Sequence, residues 1–500
     1  MPTPTVQTTA AAPGRVLSID VLRGITVAFM ILVNDSEDPA HSYSQLLHAE
    51  WNGFTLTDLV FPTFLFLVGA SIILSLSSRI ARSPTGVLDS ATRHRLALSI
   101  VRRSATIFLL DLFLTALPRF HLSTLRIYGV LTRIAVCYLV VGLLCLFTRR
   151  ISTLLAISAA LLVGYWALLR FVPVPGFGVP THDIPLLDPD RNLVAWLDRG
   201  VNALLQRTLH TGSLYEHTRD PEGLLSTIPA LVTTIFGAIT ALWLRRTDLS
   251  HHTILSVPAD TPDVPHPAPL VAEVNGLDPQ ERAIDQSLTG PTHAQVPVQI
   301  STPPAAADPA RLTQTSGANP LQDLTQTPSV NQTQTHLQTQ HQTLRGLLLG
   351  AAVCLLTGRL WNLAFPINKK LWTSSYVLFA AGCSLLALAL CYWLVDILRL
   401  QHRSHLGRAA LWPWLVFGTN AITAYAVSEV FEKVAVLIRI HDSSSPDPGR
   451  TINSWAWTYR HIFARGHSTP NTSLAFALSF VALCFLPNLL LWRKRIFLKV

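Results

Sequence analysis

Ten apolar runs punctuate this chain, each about the 20 residues that a helix needs to cross a bilayer. They lie at 16–34, 58–78, 100–117, 128–147, 151–171, 224–244, 344–360, 373–397, 410–430 and 472–492. The pattern predicts an all-α polytopic membrane helical bundle of about ten transmembrane helices. One stretch departs from it. From Thr247 to Thr343 the chain has no aromatic residue and is rich in Pro, Thr, Gln and Ala. Such a composition buries too little apolar surface to offset its ordering entropy, so residues 247–343 are expected to be a disordered cytoplasmic linker. That divides the chain into a cytoplasmic tail (1–15), a six-span part (16–246), the linker, and a four-span part (344–500).

Lys and Arg collect in alternate loops. Arg79, Arg82, Arg93 and Arg95 follow span two, Arg149 and Arg150 follow span four, and Arg245 and Arg246 follow span six. Arg399, Arg403 and Arg408 follow span eight, and Arg493, Lys494, Arg495 and Lys499 close the chain. Cytoplasmic loops retain such residues during insertion, which places both termini in the cytoplasm and the loop from Asp35 to Thr57, free of Lys and Arg, on the other side. No charged n-region or apolar h-region precedes Arg15, so the first span is expected to stay in the protein.

Composition agrees with the pattern. Of 500 residues, 49% are hydrophobic and 13% charged, about half the charge of a soluble domain. The net charge of +9 follows from topology and gives no reason to expect a nucleic-acid partner. All six cysteines fall in apolar runs without metal-ligand or CxxC spacing, which points to buried, inert thiols. The histidines of the linker are spaced too irregularly for a metal site.

Polar groups beside an apolar span are costly and are usually retained for a purpose. The segment HAEWNGFTLTDLVFPTFLFLVGAS sets His48, Asn52 and Asp58 at the start of span two. A carboxylate on one imidazole nitrogen fixes the tautomer and leaves the other as a base. Asp58 is placed to do this for His48, and equally placed to cap the helix. Asn34 ends span one on the same side, where asparagine also serves as a helix terminator. Asp20 and Arg23 are three apart, as an interfacial ion pair or as a hold on a phosphorylated cofactor. Arg126 and Arg133 share a face of span four, to pair with acids such as Asp111 or to bind an anion between helices. Asp220 and Pro221 read as a helix start, with Glu222 a candidate substrate contact. Asn420, Thr423 and Tyr425 in span nine are polar groups that could simply bond neighbouring helices.

In order, LSIDVLRGITVAFMILVND, HAEWNGFTLTDLVFP, EGLLSTIPA and LWTSSYVLFAAG resemble the family of transmembrane glucosamine N-acetyltransferases typified by heparan-alpha-glucosaminide N-acetyltransferase and its bacterial relatives. The resemblance implies acetyl transfer from cytoplasmic acetyl-CoA to the amine of a glucosamine-type sugar across a membrane, expected here to be a bacterial inner membrane. It implies a catalytic role for His48, with Asn34 at the site. The candidate catalytic set is thus His48, Asn34 and Asp58, with Arg23, Arg126 and Arg133 toward acetyl-CoA and Asn52 and Glu222 toward the sugar. No metal is expected, and a homodimer is left open. The linker is an insertion relative to the family, and the large amino-terminal region of the animal enzymes is missing, which favours a cell-envelope amino sugar over heparan sulfate. His48 could act as general base or carry the acetyl group transiently. Two other classes remain: a transporter or flippase for an envelope sugar, in which Asp20, Arg23, Arg126 and Arg133 would line a pathway, and a polysaccharide O-acyltransferase.

Overall fold

Apolar runs become helices in the computed structural model, which describes residues 16–34, 37–80, 89–254, 330–442 and 450–497. The helices are α1 (Leu17–Asn34), α2 (Val60–Ile80), α3 (Ser90–Ala116), α4 (Val130–Phe147), α5 (Ile151–Phe171), α6 (Leu193–Leu209) and α7 (Thr227–Ile254). They continue as α8 (Val330–Trp361), α9 (Ser374–Tyr392), α10 (Leu400–Arg403), α11 (His405–Thr419), α12 (Ala421–Leu437), α13 (Ser454–Thr458) and α14 (Pro470–Arg493). A short hairpin, β1 (Arg439–His441) with β2 (Thr451–Asn453), pairs antiparallel between α12 and α13. The protein is an all-α polytopic membrane bundle. Among the described residues, eight helical stretches are long and apolar enough to cross a membrane.

Met1–His252 with Thr335–Val500 form one body, and Thr253–Gln334 separate from it. Helix α7 runs to Ile254 and α8 begins at Val330, both inside the stretch expected to be a linker. Residues 255–329 lie outside the described residues.

Two expected spans differ from the simple pattern. The third carries Arg102, Arg103 and Asp111, and its helix begins ten residues earlier, at Ser90. The ninth is not one helix. Asn420, at φ −130° and ψ 46°, ends α11 and starts α12. Helix α6, amphipathic and capped by Asn192 Oδ1 accepting from Ala195 N at 2.9 Å, was not foreseen.

Without a hydrophobic drive between helices in lipid, close backbone packing supplies the cohesion, and small residues permit it. A Cβ at Gly24 would strike the carbonyl oxygen of Trp414, and one at Gly418 the carbonyl oxygen of Asp20, so α1 and α11 meet backbone to backbone. The α2–α7 crossing repeats the device: Gly69 lies on Thr234 O and Gly237 on Phe66 O. Helix α1 sits inside the bundle, against α2, α9, α11, α12 and α14. By contrast α5, α8 and α14 present leucines such as Leu155, Leu349, Leu356 and Leu490 outward, as suits helices that face acyl chains. Two apolar clusters fill the interior. One centres on Leu22, Leu67 and Ile73, the other on Ile31, Leu65 and Trp372.

Candidate functional site

The loop from Leu47 to Asp58 folds back on itself around one carboxylate. Asp58 lies in a single 3₁₀ turn, Thr57–Leu59, ahead of α2, and its side chain is 1% exposed. Its Oδ2 accepts from Ala49 N at 3.1 Å, Thr55 N at 3.0 Å and Thr55 Oγ1 at 3.2 Å. Its own carbonyl accepts from Tyr376 Oη at 2.5 Å, tying the turn to α9. Asp58 therefore closes the loop rather than capping α2. A buried carboxylate with this many donors is held ionised in one orientation. Gly53, at φ 102°, takes the tight turn that a side chain would disfavour.

The other Asp58 oxygen, Oδ1, lies 2.7 Å from His48 Nδ1. With Nδ1–H donating to Asp58, the ring presents Nε2 as its lone-pair nitrogen. The His48 side chain is 45% exposed, so that nitrogen is open to a substrate. A second loop, between α8 and α9, closes the other side. Gly53 N donates to Ile367 O at 2.8 Å, and Asn368 Nδ2 to Asn52 Oδ1 at 3.3 Å. This loop delivers Lys369, whose Nζ is 3.0 Å from His48 Nδ1, 3.2 Å from Nε2 and 3.7 Å from Asp58 Oδ1. The near-equal distances put Nζ beside the ring, off the lone-pair axis of either nitrogen. Burial pushes the Lys369 ammonium below its usual proton affinity, against the opposing charges of Asp58 and Glu222. Beside the loop, Trp51 donates from Nε1 to Leu187 O at 2.8 Å, and the Arg219 guanidinium stacks 4.6 Å from its ring.

Arg126 does not pair with Asp111. It grips Asp220 through Nε (2.7 Å) and Nη2 (2.6 Å), and the same Nη2 reaches Glu222 Oε2 at 2.6 Å. Burial works against its charge, but the hydrogen bonds and charges of Asp220 and Glu222 outweigh it and hold the guanidinium above its usual range. Asp111 instead accepts from Thr132 N at 2.8 Å and so caps α4, in space that Gly129 leaves free of a Cβ. Arg133, 1% exposed, donates to Gly223 O at 3.1 Å and Ser226 Oγ at 2.5 Å and stacks 5.0 Å from the Trp372 ring. Arg126 is thus engaged by two acids, and Arg133 by helix α7's entrance and an indole, while Arg133 Nε and Nη1 find no hydrogen-bond partner among the described residues. Glu222 is likewise committed to Arg126. Behind them Asp198 is fully buried, and burial pushes its carboxyl up to about 7.

Arg23 lies elsewhere, in a cleft of about 170 Å³ between α1, α2, α3, α4 and the α11–α12 break. It donates through Nη1 to Asp20 Oδ1 at 2.8 Å and through Nη2 to Ser71 Oγ at 2.8 Å. Arg103 lines the same cleft, stacked 5.1 Å from the Tyr138 ring. Ala421 and Ile422, the first residues of α12, also line it. The amides of a helix's first turn carry partial positive charge, so the walls of this cleft favour an anion.

The structure brings together His48, Asp58 and Asn52 and joins Arg126 to Glu222. It does not join Asn34 to them: Asn34 is the exposed last residue of α1, and among the described residues no hydrogen bond links it to His48 or Asp58. Lys369 was missed. Its signal, a KK pair ahead of LWTSS, reads as an interfacial anchor, and its partner lies 321 residues away.

Comparison with known proteins gives two findings. Residues 15–187 match the family model described as "Heparan-alpha-glucosaminide N-acetyltransferase, catalytic". The chain is similar to heparan-alpha-glucosaminide N-acetyltransferase of Homo sapiens, at 31% identity over 266 residues (46% of this chain, 38% of that protein). It is also similar to that of Mus musculus, at 30% over 274 residues (46% and 39%). The match thus spans about two-fifths of the curated relatives' length.

Proposed function

We propose, from the kinship of residues 15–187 with the heparan-alpha-glucosaminide N-acetyltransferase family, that this membrane protein transfers an acetyl group from cytoplasmic acetyl-CoA to the amine of a glucosamine-type sugar on the opposite side. The observation that carries the reading is the His48–Asp58 contact of 2.7 Å at an exposed loop. A thioester is already activated, so the protein's task is to deprotonate the amine, align it and stabilise the oxyanion. His48 Nε2 takes the proton as the sugar nitrogen attacks the thioester carbonyl. Collapse of the tetrahedral intermediate expels the CoA thiolate, which receives that proton. Asp58 stabilises the imidazolium that forms in between. Asn52, on the His48 loop, is positioned to donate to the sugar or the oxyanion. Rapid quenching that traps no acetyl-His48 supports direct transfer, whereas its capture assigns His48 as an acetyl carrier.

For the donor, the cleft at Arg23 and Arg103 is the place we assign to CoA phosphates. Asp58 and Ser71 are thirteen residues apart along the start of span two, about 20 Å at 1.5 Å per residue. An extended pantetheine arm bridges such a distance. In this reading both termini are cytoplasmic and the acceptor is a cell-envelope amino sugar.

The test is incubation of the purified protein with labelled acetyl-CoA and glucosamine acceptors. Amide-linked label in the sugar, lost in His48→Ala, is the expected result. A folded His48→Ala protein that still transfers acetyl groups would overturn the assignment.

A further inference from the structure

The loop that carries His48 is apolar on one flank. Phe54 and Leu56 follow His48 closely in the chain and are 37% and 50% exposed. Exposed apolar patches mark surfaces that meet a ligand, a partner or a membrane, and the neighbours of this one decide which. The Phe54 ring lies 4.4 Å from that of Phe379. Phe379 is five residues past Ser374, the start of α9, and thus about 7.5 Å along the helix axis. Tyr376, in the first turn of α9, holds the Asp58 carbonyl. The loop therefore lies against the side of a helix long enough to cross the membrane, rather than above its end. Helix α8 packs at the same point, since a Cβ at Gly358 would strike Phe379 N. On its outward side α8 shows Val353, Leu356 and Leu360, followed by Leu363 just past its end. That stripe, three or four residues apart, faces acyl chains and stops at the turn that delivers Lys369. The opposite flank of the loop is closed by protein: Trp51 Nε1 donates to Leu187 O, Arg219 covers its ring, and Glu216 pairs with both Arg219 and Lys370.

We propose that the acceptor is an amino sugar carried on a lipid anchor, which reaches His48 sideways from the outer leaflet along the Phe54–Leu56 flank. This deepens the function proposed above and rests on it. The covalent structure of such a sugar fits the placement. In a 2-amino sugar the amine stands on the carbon next to the anomeric carbon, where an anchor is attached, so an amine at His48 brings the root of the anchor to the same loop. The anchor then leaves over Phe54 and Leu56 into the surface that α8 continues. Confinement to the leaflet raises the effective concentration of the sugar at the depth of the site, and each CH₂ of an anchor adds about fourfold to membrane partition.

The test gives the full-length protein in nanodiscs labelled acetyl-CoA with the methyl, butyl and octyl glycosides of glucosamine. From methyl to octyl, kcat/KM is expected to rise about tenfold or more. Leu56→Asn and Leu363→Asn change exposed side chains and should each cut the octyl-to-methyl ratio by about threefold or more. A readout besides activity separates this inference from the proposed transfer. An octyl glucosaminide bearing a diazirine on its chain is photolysed with the protein, and labelled peptides are identified by mass spectrometry. Label on the Phe54–Leu56 segment, displaced by octyl glucosaminide but not by octanol, is expected. Equal use of the methyl and octyl glycosides, a ratio that both variants leave unchanged, or label that the glucosaminide does not displace overturns the proposal. Displaceable label in a protein that transfers no acetyl group upholds the lipid-borne acceptor and sinks the proposed transfer instead.

Discussion

Replacing Asp58 with asparagine removes one charge and little volume from a side chain that is 1% exposed. At 2.7 Å from His48 Nδ1, the carboxylate stabilises an imidazolium by about 6 kcal/mol at an effective dielectric of about 20. The His48 side chain is 45% exposed, and solvent screening removes about half of that. The remaining ~3 kcal/mol corresponds to about 100-fold in rate. An amide can also turn its NH₂ toward Nδ1, which places the ring proton on Nε2 and disables the base, so the loss could reach about 10³-fold. The plateau of kcat should fall accordingly. KM for acetyl-CoA should change little, because the Arg23 cleft shares no lining residue with the loop. Steady-state acetyl transfer across pH 5–9 with the purified Asp58→Asn protein measures this. A plateau within about threefold of the parent refutes the reasoning.

Three further outcomes follow from the same geometry. Arg23→Ala and Arg103→Ala should each raise KM for acetyl-CoA about tenfold or more with kcat nearly kept, and the effect should shrink with a donor lacking the 3′-phosphate if a guanidinium binds that group. Arg126→Ala leaves Asp220 and Glu222 facing each other without their cation and should cost about 3–5 kcal/mol of stability, read as a lower Tm, with Arg126→Lys intermediate. Asp198, with its carboxyl raised from 3.8 to about 7 by burial, binds more protons folded than unfolded between those values. Its contribution to stability is therefore full below about pH 4 and declines as pH rises to about 7. Asp198→Asn should flatten the fall in Tm from pH 5 to 8, and an unaltered slope would refute this.

The bundle was legible because a bilayer demands long apolar runs, and nine of the ten expected spans coincide with single helices, three of which run ten residues or more past the expected ends. The ninth was not. Asn420 follows Gly418 and Thr419 in an apolar run, and its side chain is held by a distant partner, Nδ2 donating to Ile496 O at 3.2 Å. The helical ends of α7 and α8 were hidden because the Thr, Asn and His among their residues have weak helix preferences of their own and the stretch lacks an apolar face. His48 and Asp58 could be suspected as partners since ten residues separate them. Lys369 and Arg126 could not be assigned partners, since contacts across 321 and 94 residues depend on how the helices assemble.

The glycine crossings of α2 with α7 and of α1 with α11 bear on which donors can be used. Backbones in direct contact leave no slack for one helix to slide past its neighbour, so α2 with the turn ahead of it acts as a ruler with Asp58 at one mark and Ser71 at the other. A transporter must let its two mouths open in turn, and a fixed ruler opposes that. For an acyl donor the ruler sets a minimum length. A thioester on a short arm could occupy the cleft or meet His48, but not both at once, so truncated donors should act as poor substrates however well their ends are recognised.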